Sequence, residues 1–149
     1  MYKRQTLLIA GVDPDQRVRE LAVRDTRVTV SGWVKDIRDS YASARIFVAP
    51  MQIGTGLQNK LLEALAMRMP CVTSDLANNA VGAEPGASIL IGHDPRDYAD
   101  HILRLLDHPE ERDRLAANGE RFVHQAFDWD RSTERLDRLM FPAPLQESV

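Results

Sequence analysis

The sequence predicts a layered α/β fold in which a parallel sheet carries helices on both faces and ends in a tail of helices alone. Three observations carry that prediction. Short apolar, β-branched runs alternate with longer stretches of helical period. Several of those runs, such as Leu7-Leu-Ile-Ala and Ile46-Phe-Val-Ala, are continuously apolar where a half-solvated antiparallel strand would alternate. After Ile91 the strand pattern stops and three helical segments follow in succession.

Taken in order, strands are expected at Thr6 to Ala10, Arg27 to Ser31, Arg45 to Ala49, Pro70 to Ser74 and Ser88 to Ile91. Helices are expected at about Asp15 to Val23, Asp36 to Ser43, Gln58 to Met67, Pro95 to Leu106, Glu110 to Gln125 and Arg131 to Met140. Turn or capping residues stand at the passages between them: Gly11-Val-Asp-Pro14, Gly32-Trp-Val-Lys-Asp36, Gly54-Thr-Gly56 and Gly92-His-Asp-Pro95. In the tail, Asp94 reads as a cap with Pro95 at the first helical position. Leu103, Leu106, Leu115, Phe122 and Phe127 supply its apolar stripes, and the charges between them read as solvated faces. Residues 6–140 are taken as one domain, with 1–5 and 141–149 as frayed ends.

Composition narrows the function. With 149 residues and 44% hydrophobic content, the chain has material for a real core. The net charge of -3, with both signs interspersed, argues against nucleic acid as a partner. A single cysteine, Cys71, sits in an apolar run and fits a reducing, cytoplasmic setting. No apolar stretch approaches the roughly 20 residues of a membrane span, and no secretory leader is evident. His93, His101, His108 and His124 lack paired metal-ligand spacing, so no metal is expected. Trp129, Met67 and Met69 read as packing residues, Trp33 reads as cover for the sheet edge with contact to a base as the alternative, and Asn78 and Asn79 follow the fourth strand as loop residues placed to line a cleft but needing no ligand.

The informative stretch runs from Pro50 to Ser74, where a glycine-containing loop leaves one strand and enters a helix. Gly54 and Gly56 leave room for a ligand near the backbone, and the helix starting near Gln58 or Asn59 directs free amide N–H groups toward that loop. That is an anion site by construction, and Lys60 in the first turn adds a charge-assisted contact to a diphosphate. Glu63 lies three residues on, and its carboxylate suits the vicinal hydroxyls of a ribose. The same pattern also occurs as a plain structural loop with a surface ion pair.

The run Gly56-Leu-Gln-Asn-Lys-Leu-Leu-Glu-Ala-Leu-Ala-Met, followed by Pro70-Cys-Val-Thr-Ser, resembles the donor-site signature of retaining GT-B glycosyltransferases, family 4-like. The flanks Leu7 to Gly11, Val28 to Val34, Ser40 to Pro50, Ala87 to Ile91, Asn118 to Val123 and Phe127-Asp-Trp129 are similar to the same family, so the resemblance covers nearly the whole chain. It implies a Rossmann-like carboxy-terminal domain that binds a nucleotide diphosphate sugar along the carboxyl ends of its strands. By that resemblance, Gly54, Thr55, Gly56, Leu57, Gln58, Asn59 and Lys60 surround the diphosphate and sugar, and Glu63 holds the ribose. The backbone of Trp33, Val34 and Lys35 reads the base. The implied reaction transfers a hexose with retention, Glu63 and Lys60 being the catalytic candidates and the nucleotide sugar a substrate rather than a cofactor.

Two departures qualify the resemblance. The family often carries a second glutamate eight positions before the first-named one, where this chain has Thr55. The family's glycine after the donor helix is Arg68, so either the helix ends differently or Arg68 accepts strain. The match begins at the family's second strand. The first strand and helix, and the amino-terminal acceptor domain that would be the partner of this half, are accordingly expected outside this sequence, and peripheral membrane association belongs to such a parent. The fragment alone is expected to be inactive. The rival reading is a non-catalytic nucleotide- or partner-binding module; a response-regulator-like domain fails for want of an acidic cluster at the strand ends.

Overall fold

Each of the apolar runs becomes a strand: β1 Leu7–Ala10, β2 Val28–Gly32, β3 Phe47–Ala49, β4 Cys71–Thr73 and β5 Leu90–Ile91. The helices between and after them are α1 Gln16–Arg24, α2 Ile37–Ser43, α3 Asn59–Ala66, α4 Asp75–Asn78, α5 Pro95–Asp107, α6 Pro109–Ala126 and α7 Trp129–Met140. The computed structural model describes residues 5–54 and 56–141. The chain divides into two compact units, Met1–Phe47 and Val48–Val149. The parallel pairing expected of the strands is present in β1–β2 and β4–β5, and the ladder hydrogen bonds are divided between a sheet of β1-β2 and a sheet of β3-β4-β5.

In the first unit, β1 and β2 pair in register from Leu7 opposite Val28 to Ile9 opposite Val30, with a shift before Ala10 opposite Gly32. The helices start where aspartates stop the extended chain. Asp15 accepts the amide of Arg17 and Asp36 that of Arg38, both at 2.9 Å, which satisfies one orphan donor at each helix front. Tyr41 is buried and meets Phe47 edge-on, with ring centroids 5.7 Å apart.

The second unit holds the larger core, in which Leu61, Leu65, Val72, Ile89, Leu105 and Leu115 are fully buried. Asp94 caps α5 by accepting the amides of Arg96 and Asp97, with Pro95 at the helix start as the sequence requires. Helix α6 approaches α3 closely at Gly119, where an added Cβ would lie 2.6 Å from Leu65 Cδ2. Helix α7 buries none of its residues, and Trp129 is 83% exposed, so it does not pack the last helix as expected. The short α4 was not legible as a helix, because four residues carry too little periodicity.

The end of α3 settles the question posed by Arg68. The amide of Met69 bonds Ala64 O and that of Arg68 bonds Leu65 O, both at 2.9 Å, which is the Schellman pattern. Arg68 therefore occupies the left-handed position, at φ 55°. A side chain there costs roughly 1–2 kcal/mol relative to glycine, and the helix keeps the family's ending at that cost.

Candidate functional site

The carboxyl ends of β3, β4 and β5 are tied together by the residues that leave them. Thr73 is fully buried in an otherwise apolar strand because its hydroxyl donates to Ala49 O at 2.9 Å. One residue on, the Ser74 hydroxyl donates to Met51 O at 2.7 Å, and the Gly92 amide donates to Thr73 O at 2.8 Å. These bonds fix the exits of three loops side by side, where open α/β sheets place their ligands.

A cavity of about 370 Å³ opens at this edge, with Met51, Gln52, Ser74, His93 and Tyr98 in its wall. Gly92 is glycine because its neighbour is the Tyr98 ring, whose nearest atom would lie 2.7 Å from an added Cβ. The Tyr98 hydroxyl oxygen is buried with no hydrogen-bond partner among the described residues. Burial raises its pKa above the ordinary phenol value, and the Asp75 carboxylate adds to the rise. His93 lies at the rim, 2.9 Å from Asp75 through Nδ1. Sequence reasoning took Gly92-His-Asp-Pro95 as turn chemistry alone and passed over Tyr98. The available signal was a strand exit followed at once by a capped helix.

The predicted donor loop leaves the same edge after Pro50. Its two glycines meet different constraints: Gly56 has φ 73°, whereas an added Cβ at Gly54 would lie 3.0 Å from Met51 Cε and 3.1 Å from Gln58 Nε2, so that those side-chain ends would have to shift. Gln58 is buried and makes no side-chain cap to α3. Its Nε2 instead donates to Gly56 O at 3.1 Å, bracing the loop from within. Leu57, Asn59, Lys60 and Glu63 are exposed at the front of α3, with Lys60 and Glu63 one turn apart. Thr55 lies outside the described residues.

In the first unit, Trp33, Val34 and Lys35 follow directly on β2, where Gly32 turns the chain at φ 67°. Trp33 is 71% exposed and so does not cover the sheet edge; Lys35 is exposed and Val34 half-buried. The remaining polar candidates have structural duties. Asn78 is buried, its Nδ2 donating to Ala83 O at 2.8 Å and its Oδ1 accepting the Ala83 amide at 3.1 Å. Asn79 is exposed at the end of α4. His101 Nε2 lies 2.9 Å from Ile91 O, and His108 Nδ1 lies 3.0 Å from Arg104 O. Cys71 is fully buried, which pushes its thiol pKa far up and leaves it unreactive. Among the described residues, no helix is long and apolar enough to cross a membrane.

With this geometry in view, the comparisons with known proteins agree on one family. The family model described as glycosyl transferases group 1 matches residues 2–108. Spore coat protein SA of Bacillus subtilis (strain 168) is 33% identical over 120 residues, which is 77% of this chain and 32% of that protein. D-inositol 3-phosphate glycosyltransferase of Thermomonospora curvata is 36% identical over 76 residues, 50% of this chain and 17% of that protein. The chain thus spans a third or less of the length of these relatives. Among solved structures, HepE of Anabaena in complex with UDP superposes with a TM-score of 0.79 at 17% identity, over 93% of this chain and 41% of that one. Sucrose-phosphate synthase from Thermosynechococcus elongatus superposes at 0.74 and 23% identity, over 91% and 38%. These likenesses, to GT-B glycosyltransferases, establish the α/β fold.

Proposed function

The chain belongs to the group 1 glycosyl transferases, and from that premise we propose that it forms the nucleotide-diphospho-sugar-binding part of a retaining hexosyltransferase. The observation that carries the reading is the exposed front of α3, reached by the chain that leaves β3 at Ala49 and braced there by the bond from Gln58 Nε2 to Gly56 O. A diphosphate at that front meets the positive end of the helix dipole and the ammonium of Lys60. As the glycosidic bond breaks, negative charge grows on the leaving diphosphate, so fixed amide dipoles and a cation there favour the transition state over the ground state. Glu63 is assigned to the ribose hydroxyls, and the backbone of Trp33, Val34 and Lys35 to the base edge. The HepE complexes with UDP and with UDP-glucose support a uridine diphosphate sugar as the first donor to try.

The acceptor, a polysaccharide or glycolipid, is assigned to an amino-terminal domain of a longer cytoplasmic parent that attaches peripherally to membranes. Transfer needs both substrates held together, so this chain alone binds nucleotide weakly and turns nothing over. Calorimetric titration with UDP, GDP and ADP tests the binding, with Glu63→Gln expected to weaken it by roughly tenfold through the lost ribose contact. In the longer parent the same substitution should depress kcat/KM by at least as much. Equal nucleotide affinity in the wild type and Glu63→Gln would remove Glu63 from the site. The rival reading, a non-catalytic binding module, is favoured by Thr55 in place of the family's other glutamate. It predicts nucleotide binding by a parent with no transferase activity to lose.

A further inference from the structure

The left-handed Arg68 at the end of α3 has no evident reason within the fold. The two amide bonds that close the helix are made by backbone and would form equally with glycine. The ion pair described for its guanidinium, to Glu120 at 3.7 Å, is half exposed, and such pairs contribute little. Strained side chains that persist without a structural gain point to function.

The guanidinium lines an open cavity of about 560 Å³ together with Arg121, His124 and Arg131. Three of these four groups belong to one surface built from α3 and α6, since Arg121 and His124 lie one turn apart on α6, and Arg131 joins them from the first turns of α7. The acidic members of the wall, Glu120 and Asp128, are engaged: Glu120 with Arg68, and Asp128 with the Arg131 amide at 2.9 Å. The described bonds of Arg121 to Asn118 Oδ1 and of Arg131 to Gln125 O are both long, at 3.4 Å. Each guanidinium carries five N–H donors in a fork that matches phosphate oxygens.

We propose that this cavity is a binding site for a phosphate-bearing dianion, at the opposite end of α3 from the donor loop. A dianion is specified because it must draw Arg68 from the single carboxylate of Glu120. Helix α3 is eight residues long, so the two ends lie roughly 12 Å apart, and a ligand here is a second molecule rather than the donor diphosphate. The proposal does not depend on the function assigned to the donor loop.

The test is an NMR titration of the ¹⁵N-labelled chain with inorganic pyrophosphate, and in parallel its sedimentation with phosphatidic acid vesicles, whose headgroup is a phosphate monoester, against phosphatidylcholine vesicles. Pyrophosphate should shift the amides of Met67–Met69, Arg121–Gln125 and Arg131 along one saturation curve, separable from any shifts at Gly54 to Lys60. Arg68→Gly relieves the left-handed strain, so its Tm should rise by about 3–5 °C, while its pyrophosphate affinity at the arginine cavity falls roughly tenfold or more. Arg121→Gln should show the same loss. Binding confined to the anionic vesicles, and lost in Arg68→Gly, would assign the phosphate to a lipid headgroup. No shift at the arginine cavity and no vesicle preference, or equal affinity in wild type and Arg68→Gly, overturns the proposal.

Discussion

Replacing Gly119 by alanine is the sharpest test of how α6 holds helix α3 in place. Gly119 is buried in the interior of α6, and a helix interior ordinarily gains about 1 kcal/mol from that exchange. Here the new methyl would sit 2.6 Å from Leu65 Cδ2 and 3.1 Å from the backbone oxygen of Ser88. Leu65 is fully buried, so its side chain has no free space to turn into, and the backbone oxygen is fixed by the fold. Overpacking of one methyl in such a site costs typically 1–3 kcal/mol. The two effects oppose, and the clash wins by about 1 kcal/mol, which for a chain of this size lowers Tm by roughly 3 °C. Urea and thermal unfolding followed by circular dichroism measure it directly. A double-mutant cycle isolates the cause, since Leu65→Val removes the offending methyl. In the Leu65→Val background, Gly119→Ala should be neutral or stabilising, with a coupling of about 1 kcal/mol or more. If Gly119→Ala stabilises the wild-type background by its full helix propensity, the α3–α6 approach described above is wrong.

Two further outcomes are expected. Asn78→Ala leaves both the amide and the carbonyl of buried Ala83 without their side-chain partner and should destabilise the second unit by about 2–3 kcal/mol, read from the urea midpoint. In the first unit, Asp25 and Asp36 have pKa values lowered from 3.8 to about 2, chiefly by side-chain hydrogen bonds from Arg27 and Arg38 respectively. Depressed carboxylates stabilise the folded state above their unfolded pKa, so this contribution is complete above pH 3.8 and is lost as the pH falls through about 2. The unfolding midpoint should be flat in this respect from neutrality to about pH 4 and then decline, and Asp36→Asn should shrink the decline.

Most of the element order was legible because periodicity and punctuation agreed. Leu7–Ala10 read as a parallel strand from its unbroken apolar run, though Leu7 and Leu8 are exposed where that run promised burial, and Asp94-Pro95 announced the start of α5 before any coordinates. What sequence could not convey was the division of the ladders between two sheets, since a strand's apolar run does not say which neighbour it bonds. It also overextended β5, predicting Ser88 to Ile91 where the strand is Leu90–Ile91, because buried Ile89 just before it forms only an isolated bridge with Pro85. Trp129 was misjudged for a related reason. An aromatic residue at a helix start suggests packing, yet the residue's actual exposure depends on whether a partner surface lies beside it.

The site divides along the same line. The two glycines of the proposed donor loop answer unlike constraints, the positive φ of Gly56 and the crowding of Gly54 by the side-chain ends of Met51 and Gln58. The residue that bonds back onto the loop was legible only as a member of the motif: Gln58 is a polar side chain next to a helix start, and nothing in its spacing says that it folds back onto Gly56 O. The pairing of Tyr98 with Ser74 escaped notice, because they are 24 residues apart along the chain and meet only where two strand exits converge. Arg68 is the opposite case. Its departure from glycine was plain in the sequence, but its significance required both the left-handed backbone and the cluster of Arg121, His124 and Arg131 around it. A substitution that costs local stability can be recognised from one position; what the cost is for can be recognised only from the residues that the fold gathers beside it.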